Sequence, residues 1–218
     1  MSDSEDEPQL SAHALAALQE FYTEQAVKEA EVQDVLRTNK VEELKLDENW
    51  QLSQFWYDDE TTSILAGAAV KAAGESGKIA LISCPTLFPM IKKTHRSVVK
   101  LFEYDRRFAL YGDDYIFYDY KSPLQIPESF QHYFDVIVAD PPFLSDECLS
   151  KTCETVKFLT RSKIILCTGA VMENLASRLL DVRKSYFQPK HKNNLANEFS
   201  CFTNCEELLD KDSLKSFI

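Results

Sequence analysis

Residues 134–143 read Phe-Asp-Val-Ile-Val-Ala-Asp-Pro-Pro-Phe, so one carboxylate, two prolines and an aromatic ring directly follow an apolar run. Positions 136–139 are apolar without alternation, the pattern of a central strand buried on both faces. Pro141 and Pro142 lack N–H groups and fix φ near −65°, so the sheet ladder must stop there. Asp140 is thereby set at the end of the strand, with Phe143 on a stiff, displayed turn. A rigid carboxylate beside backbone carbonyls and a ring can orient an amine. An Asp-Pro pair can equally be a strand terminator with a capping carboxylate. What stands at the other strand ends decides between the two.

Four further apolar runs precede or follow this one, at 79–83, 98–103, 115–118 and 164–167, with two final strand candidates at 186–187 and 199–203. The first ends in Ser83-Cys84-Pro85-Thr86, the second in Glu103-Tyr104-Asp105, the third in Tyr118-Asp119-Tyr120. In open α/β folds the ligand sits outside the carboxyl ends of the strands. A row of Glu103, Asp119 and Asp140 there concentrates negative charge on one rim. Such a rim suits a ligand with hydroxyls, an amine and a positive centre.

An acid at the end of the second strand is the usual grip on ribose hydroxyls. Glu103, directly after its apolar run, takes that role. Asp105 either shares it or caps the helix that follows. Asp119 either contacts an adenine amino group or closes a turn. A dinucleotide would need Gly-x-Gly-x-x-Gly after the first strand, so that backbone amides approach a pyrophosphate. The turn here is Ser-Cys-Pro-Thr-Leu, and the whole chain holds only five glycines. S-adenosyl-L-methionine carries no phosphate and bears a sulfonium cation, so it tolerates both the glycine-free turn and the acidic rim.

The elements that must position these residues alternate. A small-residue helix spans 61–73, with Asp58 or Asp59 as cap and Gly74 at its end. Ser145, followed by Asp146 and Glu147, opens a helix on which Leu149, Cys153, Val156 and Leu159 share a face. Another covers 171–180, and a polar loop at 188–198 joins the last two strands. Alternation with fully apolar strands predicts a Rossmann-like α/β fold: a seven-stranded, mostly parallel sheet with helices on both faces. Residues 1–9 are dense in like charge and expected to be disordered. An N-terminal helical extension, capped by Ser11, is expected within 10–48, and the catalytic domain within 49–218.

The chain has 218 residues, 44% of them hydrophobic, enough for a sizeable core. It carries 35 acidic against 24 basic residues, a net charge of −11. Nucleic-acid binding normally needs a basic footprint, and an acidic surface suits a basic protein partner. No apolar run reaches the length of a membrane span, and the acidic first residues are the opposite of a signal peptide. Six cysteines include no Cys-x-x-Cys, so free structural thiols in a reducing, cytoplasmic setting are expected and no metal. The four histidines are scattered, and none is assigned to chemistry.

Asp140-Pro141-Pro142-Phe143 resembles the Asp/Asn-Pro-Pro-Phe/Tyr motif of class I methyltransferases that act on amino nitrogens. With Gln-Phe-Trp-Tyr-Asp-Asp-Glu-Thr (54–61), Leu-Phe-Glu-Tyr-Asp-Arg-Arg-Phe (101–108) and the acidic N-terminus, nearly the whole chain resembles one eukaryotic family. That family was first labelled adenine-N6 DNA methyltransferases, and its members are lysine methyltransferases of translation elongation factor 1-alpha. The resemblance implies S-adenosylmethionine-dependent methylation, up to trimethylation, of a lysine on that basic protein. Adenine-N6 methylation of DNA or RNA is the alternative. It further implies Asp140, Pro141, Pro142 and Phe143 as the catalytic segment. Cofactor contacts are implied for Trp56, Tyr57, Thr61, Ser83, Glu103, Asp105, Asp119 and Asp140. Phe143, with Trp56 or Tyr57, would face a methylated ammonium.

Overall fold

The computed structural model describes residues 19, 23, 48, 49, 52, 54–193 and 197–214, and the chain divides into two units, 1–45 and 46–218. In the first unit Gln19 and Thr23 are both helical, and the Thr23 hydroxyl donates to the Gln19 carbonyl at 2.8 Å. The expected acidic tail and the remainder of the expected extension up to residue 47 lie outside the described residues.

The second unit holds a sheet built from β1 (Ile79–Ile82), β2 (Val99–Glu103), β3 (Tyr115–Phe117), β4 (Val136–Ala139), β5 (Lys163–Gly169), β6 (Arg183–Lys184) and β7 (Phe199–Thr203). Their spatial order is β3-β2-β1-β4-β5-β7-β6. The first five are mutually parallel, while β7 runs antiparallel to both β5 and β6. The expected seven-stranded, mostly parallel sheet is therefore the one observed.

Successive side chains of a strand leave opposite faces, so a fully apolar strand feeds two cores. On one face Ile79, Leu81, Val136 and Val138 pack with α1 (Asp59–Ala73) and α2 (Phe88–Thr94). On the other, Ala80, Ile82, Ile137 and Ala139 pack with α3 (Asp146–Leu159) and α4 (Glu173–Leu180). Burying one such aliphatic side chain contributes about 1.5–3 kcal/mol, and a one-residue slip would exchange every contact between the faces. The register Ile82↔Ala139 is thus held from both sides, and it sets the residues that follow, Ser83 and Asp140, next to each other.

Helix starts follow local chemistry. Asp58 caps α1 by accepting from the Thr61 N–H at 2.7 Å, and Gly74 closes it at a φ of 67°. Ser145 caps α3 through the Cys148 N–H at 3.2 Å. Three expectations are corrected. The strand expected at 186–187 is instead β6 at Arg183–Lys184: its pairing with β7 covers Arg183↔Thr203 and Lys184↔Phe202, and the Ser185 N–H bond to the Cys201 carbonyl at 2.8 Å is the last rung before Tyr186 and Phe187. The helix expected from 171 begins as a 3₁₀ turn, Ala170–Met172, before α4. Finally, α2 with its first-turn Pro89 lies between β1 and β2, where no helix was expected. A short helix, α5 (Lys211–Leu214), follows. All six cysteines are free thiols, five of them buried. Among the described residues no helix is long and apolar enough to cross a membrane.

Candidate active site

Strand order reverses direction between β1 and β4, and such a switch point opens a crevice at the carboxyl ends. A cavity of about 520 Å³ occupies it. The β1 end supplies Ser83 to Thr86, the β2 end Glu103 and Tyr104, the β3 end Tyr118 to Lys121, and the β4 end Asp140 to Leu144. Leu52, residues from the 54–57 segment, His191, Asn197 and Phe199 complete the wall.

The β1 turn shows how a chain without glycine bends here. Ser83 adopts a left-handed φ of 55° while its N–H still donates to the Phe102 carbonyl at 2.9 Å. The chain then enters a 3₁₀ turn at Pro85–Leu87 that leads into α2. On the neighbouring strand the Asp140 N–H donates to the Ile82 carbonyl at 3.0 Å, the last rung before Pro141. Pro141 is buried, Pro142 half-buried, and Phe143 stands 42% exposed with Tyr120 beside it at 5.8 Å between ring centres.

Two carboxylates in this cavity are shifted toward neutrality. Burial pushes Asp140 up to about 7; the nearby Glu103 charge adds to the rise, and a hydrogen bond from Tyr57 opposes it. The Tyr57 hydroxyl donates to Asp140 Oδ2 at 2.6 Å. Glu103 is only 6% exposed, and burial likewise pushes it up to about 7. Backbone N–H donors partly counter this, among them the Asp105 N–H at 3.1 Å. Asp119 also faces the cavity, its Oδ1 accepting from the Lys121 N–H at 2.9 Å, so it serves the turn as well as the wall.

Five of the eight residues expected to touch a cofactor line the cavity: Tyr57, Ser83, Glu103, Asp119 and Asp140. Trp56, Thr61 and Asp105 do not. Asp105 is turned away by its own partners: Arg107 Nη2 at 2.6 Å and Nε at 2.9 Å reach its Oδ2, while its Oδ1 caps the 3₁₀ turn through the Arg107 N–H at 2.9 Å. Gln54 joins this cluster, donating to Asp105 Oδ2 at 3.4 Å. Thr61 is buried, with its hydroxyl accepting from the Lys190 N–H at 2.9 Å. Trp56 packs partly buried against the α1-side core.

Those bonds reveal a wall absent from the sequence reading. The loop after β6 is sewn to the aromatic segment: the Asp58 N–H donates to the Lys190 carbonyl at 3.1 Å, and the Lys192 N–H to the Trp56 carbonyl at 2.8 Å. Tyr57 and His191 pair across this seam, their rings 5.1 Å apart, and Phe199 meets the other side of His191 at 4.7 Å. Burial holds His191 below its ordinary value. No local signal marks His191; a polar loop bracketed by two aromatic segments is the one clue the sequence contains.

The donor set fits a cationic, phosphate-free cofactor. Carboxylates come from three strand ends and Tyr104 sets a half-exposed ring beside Glu103, while the β1 turn has no glycine for a pyrophosphate to approach. Among the described residues no group of three His, Cys, Asp or Glu side chains is arranged to hold a metal ion.

The chain resembles known proteins over most of its length. Residues 48–207 match the family described as "Probable N6-adenine methyltransferase". EEF1A lysine methyltransferase 1 of Bos taurus is 54% identical over 215 residues, covering 96% of this chain and 94% of its own. The Mus musculus protein of the same name is also 54% identical, covering 96% of this chain and 99% of its own. Among solved structures, a branched-chain polyamine synthase from Thermus thermophilus, in complex with N4-aminopropylspermidine and 5′-methylthioadenosine, aligns with a TM-score of 0.56. It does so at 14% identity over 73% of this chain and 59% of that one, a likeness of fold alone. The chain belongs to the family of EEF1A lysine methyltransferase 1 proteins.

Proposed function

We propose that the chain is an S-adenosyl-L-methionine-dependent protein-lysine N-methyltransferase that acts in the cytoplasm on a lysine of translation elongation factor 1-alpha, up to trimethylation. The observation that carries the reading is the Asp140-Pro-Pro-Phe143 segment at the switch point, with β1 between it and the buried Glu103. The choice of a protein acceptor is supported by the names of relatives that share over half of their residues with nearly all of this chain. A net charge of −11 favours a basic protein over a polyanion.

S-adenosylmethionine, when bound, supplies a methyl group on a sulfonium. Glu103 would grip the ribose hydroxyls, Asp119 the adenine edge, and Ser83 the portion beside the β1 turn. A lysine ammonium has an ordinary pKa near 10.4 and no free lone pair at neutral pH. Asp140 and the Pro141 carbonyl would hydrogen-bond the amine, Asp140 accepting a proton from it, while rigid Pro142 fixes the aim. Phe143 would lie along the methylated ammonium, a cation–π contact of roughly 0.5–2 kcal/mol.

Labelled S-adenosylmethionine tests this when offered with elongation factor 1-alpha, with double-stranded DNA and with RNA. Label should enter the protein alone, at a lysine, and Asp140→Ala should remove nearly all of it while thermal melting and cofactor binding persist. Label in nucleic acid would replace the lysine reading by the adenine one. Near-normal turnover of Asp140→Ala would reduce the segment to a strand terminator.

A further inference from the structure

Tyr57, expected among the cofactor contacts, lines the cavity and directs its hydroxyl at Asp140. The residue is 1% exposed, lies 83 positions from Asp140 in sequence, and donates to Asp140 Oδ2 at 2.6 Å. Its backbone is pinned by the bridge to His191 and its ring by the His191 ring. Among the described residues Oδ1 of Asp140 has no partner, although the side chain faces the cavity.

We propose that Tyr57 is the positioning residue of the transfer step: it occupies one oxygen of Asp140 and so commits the other, Oδ1, to the acceptor amine. The proposal rests on Asp140 being the amine-facing group. A carboxylate free to rotate would offer either oxygen in several orientations, and a misplacement of about 1 Å can cost 10²-fold in rate. With Oδ2 tied down, the ammonium meets a single acceptor atom. The proton passes from nitrogen to Oδ1, the N–H bond breaking as the O–H bond forms, and the nitrogen lone pair is left along the axis that Pro141 and Pro142 define. Tyr57 keeps its own proton throughout. Burial and the adjacent Asp140 charge hold its hydroxyl well above the ordinary tyrosine range, so it acts as a donor.

Other titratable groups bear on this pair. Glu103 and Cys84 stand near Asp140 from the ends of β2 and β1; Cys167 on β5 and His191 stand beside Tyr57. None of them donates to Asp140. Loss of the Tyr57 hydroxyl removes the hydrogen bond that favours the ionised carboxylate. The acid limb of the kcat–pH profile must then move to higher pH.

Tyr57→Phe keeps the ring and its packing. Its kcat should fall by roughly 10- to 100-fold, its acid limb should shift upward by a measurable fraction of a pH unit, and calorimetric affinity for S-adenosylmethionine should stay within about twofold. In an Asp140→Asn background, which keeps a residual rate but has no carboxylate to orient, Tyr57→Phe should add little further loss. If that variant does not fold, 3-fluorotyrosine at position 57, a stronger donor of the same shape, should move the limb to lower pH. An unmoved limb, or equal losses with and without the carboxylate, overturns the proposal. Should Asp140→Ala itself stay active, it is the Asp140 reading that has failed, so the two failures are told apart.

Discussion

Glu103 must lose its proton before it can take two ribose hydroxyls, and burial makes that loss harder. Its pKa of about 7 means that a good share of the cofactor-free protein carries a neutral carboxyl there at neutral pH. Binding should therefore tighten as pH rises through 7, with affinity weakening toward tenfold per pH unit on the acid side. Calorimetry in buffers of different ionisation enthalpy would read the released proton directly. Glu103→Ala should weaken binding by about 100-fold, since hydrogen bonds to a charged group are worth about 1.5–3 kcal/mol each. Its residual binding should depend less steeply on pH than that of wild type, Asp140 being the cavity carboxyl that still titrates in that range. An unchanged affinity would discard the acidic rim as a ribose site, because Asp105, the other candidate, is already held by Arg107.

At the scale of elements, the β1 turn holds one of three non-glycine residues with a left-handed φ among the described residues, the others being His132 and Asp181. A non-glycine residue at φ 55° costs on the order of 1–3 kcal/mol, and Ser83 persists there because β1 and β2 over-determine its position. Ser83→Gly should stabilise the protein by about 1 kcal/mol, read as a rise of about 2–4 °C in melting temperature for a domain of this size. Ser83→Ala, which keeps the Cβ penalty, should melt like wild type. A glycine variant that melts no higher would mean that the turn is not strained.

The elements read most readily from sequence were those with local punctuation. β4 announces itself through unbroken apolar residues and two prolines, and α1 and α3 through Asp58, Gly74 and Ser145. What escaped depends on pairing across the chain. β6 is two exposed residues, Arg183 and Lys184, whose strand character comes from lying beside β7. α2 has seven residues and a proline in its first turn, too short for periodicity to mark. Within the site, Glu103 and Asp140 stood out because each follows an apolar run. The role of Thr61 could not be read, and for Asp105 only the capping alternative holds, since a hydroxyl or carboxylate is assigned by the partner that reaches it first. Lys190 and Arg107 reach these two.

Across the whole molecule, the site is maintained against folding stability. Glu103 and Asp140 have folded pKa values of about 7 against ordinary values of 4.5 and 3.8. For a carboxyl raised on folding, the folded chain binds the proton more tightly than the unfolded one. That contribution to stability is fully present below the ordinary carboxylate range and is lost as pH rises through about 7. Ionised at higher pH, the two sites leave negative charge poorly solvated within a molecule already at −11. Comparing wild type with Glu103→Gln/Asp140→Asn cancels the other titrating groups, because both proteins share them. Without cofactor, the melting temperature of wild type relative to the double variant should therefore fall between about pH 5.5 and pH 8. A cationic cofactor binding only the folded chain adds stability by mass action. S-adenosylmethionine at the upper pH should consequently raise the wild-type melting temperature well beyond that of the variant. If the relative melting temperature does not change with pH, the two carboxylates are not held near neutrality by burial, and the proton that Asp140 is proposed to accept would have to go elsewhere.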